Sequence, residues 1–130
     1  VLEYFNPKPV IRQSDYEVGT SIYKNKTTGE LWLNISVLFI KKRPRKLTED
    51  LIVQTTSSNG IRLNQGITEL LEMNGRDVAI SLFKIEKNDY NELKINPLKS
   101  MFFYLGGELI GSTVTENRTV LIDQLKCFKF

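Results

Sequence analysis

The sequence predicts an α+β protein that is mostly β, with two antiparallel β blocks separated by one central helix at about residues 65–73. Three observations carry this. Apolar residues alternate with period two over Glu30–Ile40, as in a half-buried strand. Turn residues recur between short apolar runs on both sides of the chain centre. In the stretch Asn59–Gly75 (NGIRLNQGITELLEMNG), Ile67, Leu70 and Leu71 recur at i, i+3 and i+4. Asn64 is placed to cap a helix start there and Asn74-Gly75 to stop its end.

In chain order, residues 1–15 read as an extended arm, because Pro7 and Pro9 suit no central strand. Tyr16–Lys26 reads as a strand, and Lys26-Thr27-Thr28-Gly29 as a hairpin connection. In Glu30–Ile40, Leu31, Leu33, Ile35, Val37 and Phe39 share one face. Trp32, Asn34 and Ser36 lie on the other, with Leu38 and Ile40 near the end. Lys41–Lys46 (KKRPRK) follows, with Pro44 ending the pairing. Leu51–Thr56 reads as a strand, Thr56–Gly60 as a turn, and Gly60–Leu63 as a short strand completing a first block over 16–63. The helix is expected over 64–74 and a second block over 77–130. There, Val78–Ile85 reads as a central strand. A polar connection runs from Lys87 to Pro97, with Leu93 and Ile95 pairing at an edge. Met101–Leu105 and Glu108–Val114 flank a Gly106-Gly107 hairpin turn, and Thr119–Phe130 reads as a last strand.

A chain of 130 residues with 41% hydrophobic and 25% charged residues has the make-up of one globular domain. It contains no apolar run near the roughly 20 residues that span a bilayer, so no membrane role is expected. It starts at Val1, as a processed product or an excised piece would, and no signal-peptide pattern is read. Cys127 is the single cysteine, which excludes an intramolecular disulfide and fits a reducing compartment, nuclear or cytoplasmic. Three sequons occur, at Asn25, Asn34 and Asn117. Ten asparagines produce one or two such triplets by chance, and Asn34 sits inside a strand.

Histidine is absent, which removes Ser-His-Asp and Cys-His nucleophile systems and imidazole metal ligands. One cysteine cannot build a zinc site, and neither glycine-rich phosphate-binding motif occurs. Glu69/Glu72 and Glu49-Asp50 could in principle supply a carboxylate pair, but both read as solvated acids. The expectation is a non-enzyme with no cofactor, no metal and no small-molecule substrate.

Charge points elsewhere. Residues 1–46 hold nine Lys or Arg against four acids, and the rest hold nine against eleven. Such asymmetry suits one end meeting a polyanion, although small proteins also carry lopsided charge without a partner. The candidate site residues are Tyr23, Lys24, Lys26 and Trp32 on one hairpin, Lys41, Lys42, Arg43, Arg45 and Lys46 beyond it, and Arg62 beside the expected helix start. Cations neutralise phosphates and aromatic faces stack on unpaired bases, so the set suits single-stranded DNA or RNA. The plainer alternatives are a solvated loop or nuclear-import signal for KKRPRK, packing for Trp32 and a surface charge for Arg62.

Gly60-Ile61-Arg62-Leu63-Asn64, followed by a helix ending Leu70-Leu71-Glu72, resembles the strand-to-helix junction of the PC4 family of transcriptional coactivators. The hairpin and long strand of Thr20–Lys42 are similar to a second feature of that family, and Arg118–Asp123 is similar to the same long strand. A four-strand, helix, four-strand layout also resembles the related Whirly group. The resemblance covers residues 16–74 best. It implies single-stranded nucleic acid binding through sheet cations and aromatics, a homodimer, and a role in transcription or replication. Two other readings compete. One is a viral or phage β-rich interaction or assembly module without nucleic acid affinity. The other is an extracellular β-sandwich carrying sugars on Asn25 or Asn117. The nucleic acid reading requires the first-half cations to share one sheet surface with Trp32.

Overall fold

The computed structural model describes residues 2–57 and 60–128. In chain order, the first half contains β1 (Leu2–Tyr4), β2 (Lys8–Arg12), β3 (Tyr16–Asn25), β4 (Leu31–Phe39), β5 (Leu47–Thr55) and β6 (Ile61–Leu63). The second half contains β7 (Gln65–Met73), β8 (Arg76–Ile85), α1 (Lys87–Leu93), β9 (Leu98–Leu105), β10 (Glu108–Thr113) and α2 (Val120–Leu125). The protein is mostly β, and every strand pairing is antiparallel.

Two sheets share these strands. The first runs β1-β3-β4-β8-β7, with β2 lying beyond β1 along the same edge of β3. The second runs β10-β9-β5-β6. The alternation read from β4 decides which face is inside. Leu31, Leu33, Ile35, Val37 and Phe39 are all buried, and in register with them come Val18 and Ile22 of β3 and Ala79, Phe83 and Ile85 of β8. Leu47, Leu51 and Val53 of β5 and Met101, Phe103 and Leu105 of β9 meet them from the second sheet in one hydrophobic cluster. The strands of the two expected blocks are therefore interleaved between sheets.

The central helix at 65–73 is a strand. Asn74 and Gly75 have φ of 53° and 77°, the two left-handed residues of a type I′ hairpin turn. They join β7 to β8 in a register running from Met73↔Arg76 to Gln65↔Phe83, with a bulge between Gln65 and Thr68. An isolated nine-residue helix gains little in water. Pairing with β8 instead satisfies one side of its backbone. The chain crosses between sheets at Asn64, whose carbonyl accepts from Lys84 N at 3.0 Å. Gln65 Nε2 and Thr68 Oγ1 both donate to Leu47 O, at 2.8 and 2.7 Å, pinning the start of β7 over β5.

Three further segments differ from expectation. The N-terminal arm is docked: β1 and β2 pair with β3, and Val10 and Ile11 are in the core. Its prolines are tolerated because this is an edge. The connection after Lys87 contains α1, where Asp89 accepts from Glu86 N at 3.2 Å and Leu93 is buried. The expected last strand is α2, since Val120, Leu121, Gln124 and Leu125 repeat at helical spacing and all are buried. Of that expected strand, Lys129 and Phe130 lie outside the described residues, as do Ser58 and Asn59 of the expected turn and Val1 of the arm.

Candidate binding surface

Because side chains alternate along a strand, the residues between the core positions of β4 and β8 face outward from the first sheet. Register sorts this outer face into rows. Tyr4, Tyr23, Trp32 and Lys84 lie side by side across β1, β3, β4 and β8. The Tyr4 and Tyr23 rings stack, with centroids 5.0 Å apart at 23°. The next rows bring Ser21, Asn34 and Leu82 together, then Gly19, Ser36, Ile80 and Glu69, then Glu17, Leu38, Val78 and Leu71. The face is thus aromatic at one end, polar at its waist and apolar at the other end. A groove of about 430 Å³ lies between Tyr4, Tyr23 and Pro7 on one side and Met73, Val78 and Ile80 on the other, with Ser36 on its floor.

Burial holds the waist together. Asn34 is fully buried, and its Nδ2 donates to Ser21 Oγ at 3.2 Å and Ser36 Oγ at 3.1 Å. Its Oδ1 has no hydrogen-bond partner among the described residues. A glycan on Asn34 is incompatible with this burial. Burial, then the nearby Tyr4, raises the pKa of Tyr23, which stays a neutral phenol at physiological pH.

Tyr23 and Trp32 are a direct cross-strand pair. Lys24, one residue further on, faces the other way, and its Nζ lies 5.9 Å from the centre of the Phe128 ring. A single-residue step reverses the face of a strand, so Tyr23 and Lys24 cannot serve one surface. Lys26 pairs with Glu3 at 3.5 Å. Lys84 pairs with Glu30 at 3.1 Å; the hydrogen bond from Lys84, then one from Thr28, lowers the pKa of Glu30, and Glu30 raises that of Lys84. The aromatic end therefore carries balanced charge.

Lys41, Lys42, Arg43, Arg45 and Lys46 lie past the opposite end of β4. From Trp32 to Phe39, where β4 ends, the extended strand spans about 23 Å. The chain winds there around one carbonyl: Ile40 N, Lys41 N and Lys42 N donate to Asp15 O at 3.0, 3.0 and 3.1 Å. Lys42 Nζ sits 5.9 Å from the Tyr16 ring centre. Arg45 is half-buried against Gly106 and pairs with Glu108 at 2.8 Å, which lowers the pKa of Glu108. Arg62 is on β6 in the second sheet, 3.6 Å from Asp50.

The expected set thus divides. Tyr23 and Trp32 are together, and the cations of 41–46 follow one another past the far end of β4. Lys24 and Arg62 lie on other surfaces. Tyr4, Ile80 and Met73 were missed. Tyr4 and Met73 enter only through pairing of β1 and β7, which no local pattern announces. Ile80 was legible as an outward position of an alternating strand.

Among the described residues, no group of three or more His, Cys, Asp or Glu side chains is placed to hold a metal ion, and no helix is long and apolar enough to cross a membrane. No family model, curated protein or solved structure matches the chain.

Proposed function

We propose that this chain is a non-enzymatic protein-interaction module whose working surface is the outer face and outer edge of the first sheet. The observation that carries this is β7. Ile67, Leu70, Leu71 and Met73 are 57%, 38%, 39% and 50% exposed on one edge strand. Among the described residues no strand pairs with its other side. Long edges with apolar side chains are normally blunted or covered, because their free N–H and C=O groups recruit another strand. Here the apolar band continues inward through Val78, Ile80 and Leu38.

A second reading, single-stranded nucleic acid binding, is favoured by the Tyr4–Tyr23–Trp32 row. Bases would stack on that row while the 41–46 cations hold phosphates at the far end of β4. A salt-titrated oligonucleotide assay separates the two. The interaction module is expected to retain no single strand at about 50 mM salt. Micromolar binding whose log–log salt slope is about −3.5, the value for five neutralised phosphates, would overturn it.

A further inference from the structure

We propose that two copies of this chain pair through β7, antiparallel about a two-fold axis at Leu70, joining the first sheets of both into one. The inference rests on the interaction-module reading and names the partner.

The hydrogen-bonding phase selects the residues. Met73 and Arg76 close a two-residue I′ turn and form a hydrogen-bonded pair. Antiparallel pairs alternate, so Met73, Leu71 and Glu69 direct their main-chain groups at β8. The N–H and C=O groups of Thr68, Leu70 and Glu72 face outward.

An axis at Leu70 satisfies all of them. Leu70 meets Leu70 of the second copy, and Thr68 meets Glu72 in both directions. Between these pairs Leu71 falls opposite Glu69, and beyond them Met73 comes level with Ile67 at the edge of the bulge, so no like charges meet. Neighbouring registers do worse. Centring on Glu72 sets that carboxylate against its own copy. Centring on Leu71 leaves Thr68 facing the Asn74 turn. Centring on Thr68 runs into the bulge between Gln65 and Thr68. Joined about Leu70, the apolar outer bands of the two copies run on into each other through Leu71 and Met73.

Cysteine cross-linking reads the register directly. In a Cys127→Ser background, needed because Cys127 is exposed, Leu70→Cys places two sulfurs on Cα atoms about 5.5 Å apart, within disulfide range. It is expected to form a covalent dimer under mild oxidation, while Glu72→Cys does not cross-link to itself. Sedimentation is expected to show a wild-type dimer and a Leu70→Lys monomer with unchanged circular dichroism. A wild-type monomer at every reachable concentration overturns self-pairing. So does a Leu70→Lys dimer, or Glu72→Cys cross-linking as readily as Leu70→Cys. The oligonucleotide assay is independent: a monomer that ignores single strands defeats only the pairing, whereas steep salt-dependent binding defeats the wider reading.

Discussion

The far end of the Trp32 indole rests on Gly66: a Cβ added to Gly66 would come 2.7 Å from Cζ3 and 3.2 Å from Cη2. The ring reaches from β4 across β8 to the edge strand and covers the glycine within the β7 bulge. Phe102 lies over Gly111 of edge strand β10 in the same way. An aromatic ring laid over an edge glycine helps hold that strand in register.

Gly66→Ala is therefore expected to displace the indole and cost about 1–3 kcal/mol. Trp32 is the single tryptophan, so its fluorescence reports the change without interference. A red-shifted emission and a lower denaturation midpoint are expected. Emission unchanged from wild type would show that the ring does not depend on Gly66.

Gln124 repairs a gap in the sheet. Between β1 and β2 the edge chain leaves β3, and Ile22 N would be a buried donor without a strand partner. Gln124 Oε1 accepts from it at 2.7 Å, while Phe5 N donates to Ile22 O at 3.3 Å. Gln124→Ala is expected to destabilise by about 1–3 kcal/mol, the cost of an orphaned buried group. Faster hydrogen exchange at Ile22 would accompany it. An unaltered Ile22 amide would dismiss the account.

Glu30 and Glu108 have lowered pKa values, chiefly through hydrogen bonds from Lys84 and Arg45 respectively. A carboxylate lowered by folding adds stability above its usual value of 4.5, and that contribution disappears as pH falls through the folded-state value. Lys84 is raised, so its share is present below its usual 10.5 and lost as pH rises through the folded-state value. These groups are solvent-exposed, so the effect is small. The difference in melting temperature between wild type and a Glu30→Gln/Glu108→Gln variant should be visible near pH 7 and shrink progressively as pH falls below the usual carboxylate value of 4.5. A gap that persists in acid would assign it to packing.

The nucleic acid reading has its own mutational test. Replacing Lys41, Lys42, Arg43 and Arg45 by Gln should flatten the salt slope by about 0.7 for each phosphate no longer neutralised. Trp32→Ala should cost about 1–3 kcal/mol if a base stacks there. Equal affinity in wild type and the quadruple variant would remove that surface from consideration.

Much of the β architecture was legible locally. Alternation in β4 named its buried face, residue by residue, and Gly29 and Gly106-Gly107 marked turns that the chain makes. Asn74-Gly75 was equally visible, but it serves as a helix stop and as a hairpin turn, and only the partner strand chooses between them. Ile67, Leu70 and Leu71 satisfy a helical period, yet no core waits for that stripe. The reverse held at 119–125, where helical spacing lay inside an apolar run that also suits a strand.

Composition, strand period and turn residues determined by themselves that this chain is mostly antiparallel β and which side of β4 is inside, because these depend on neighbours one to four residues away. Tertiary structure alone decided that 65–73 pairs with β8, that the strands interleave between two sheets, and that Trp32 and the 41–46 cations stand at opposite ends of one strand. Those outcomes depend on which distant backbone and apolar surface each segment meets, and a short run carries no record of that.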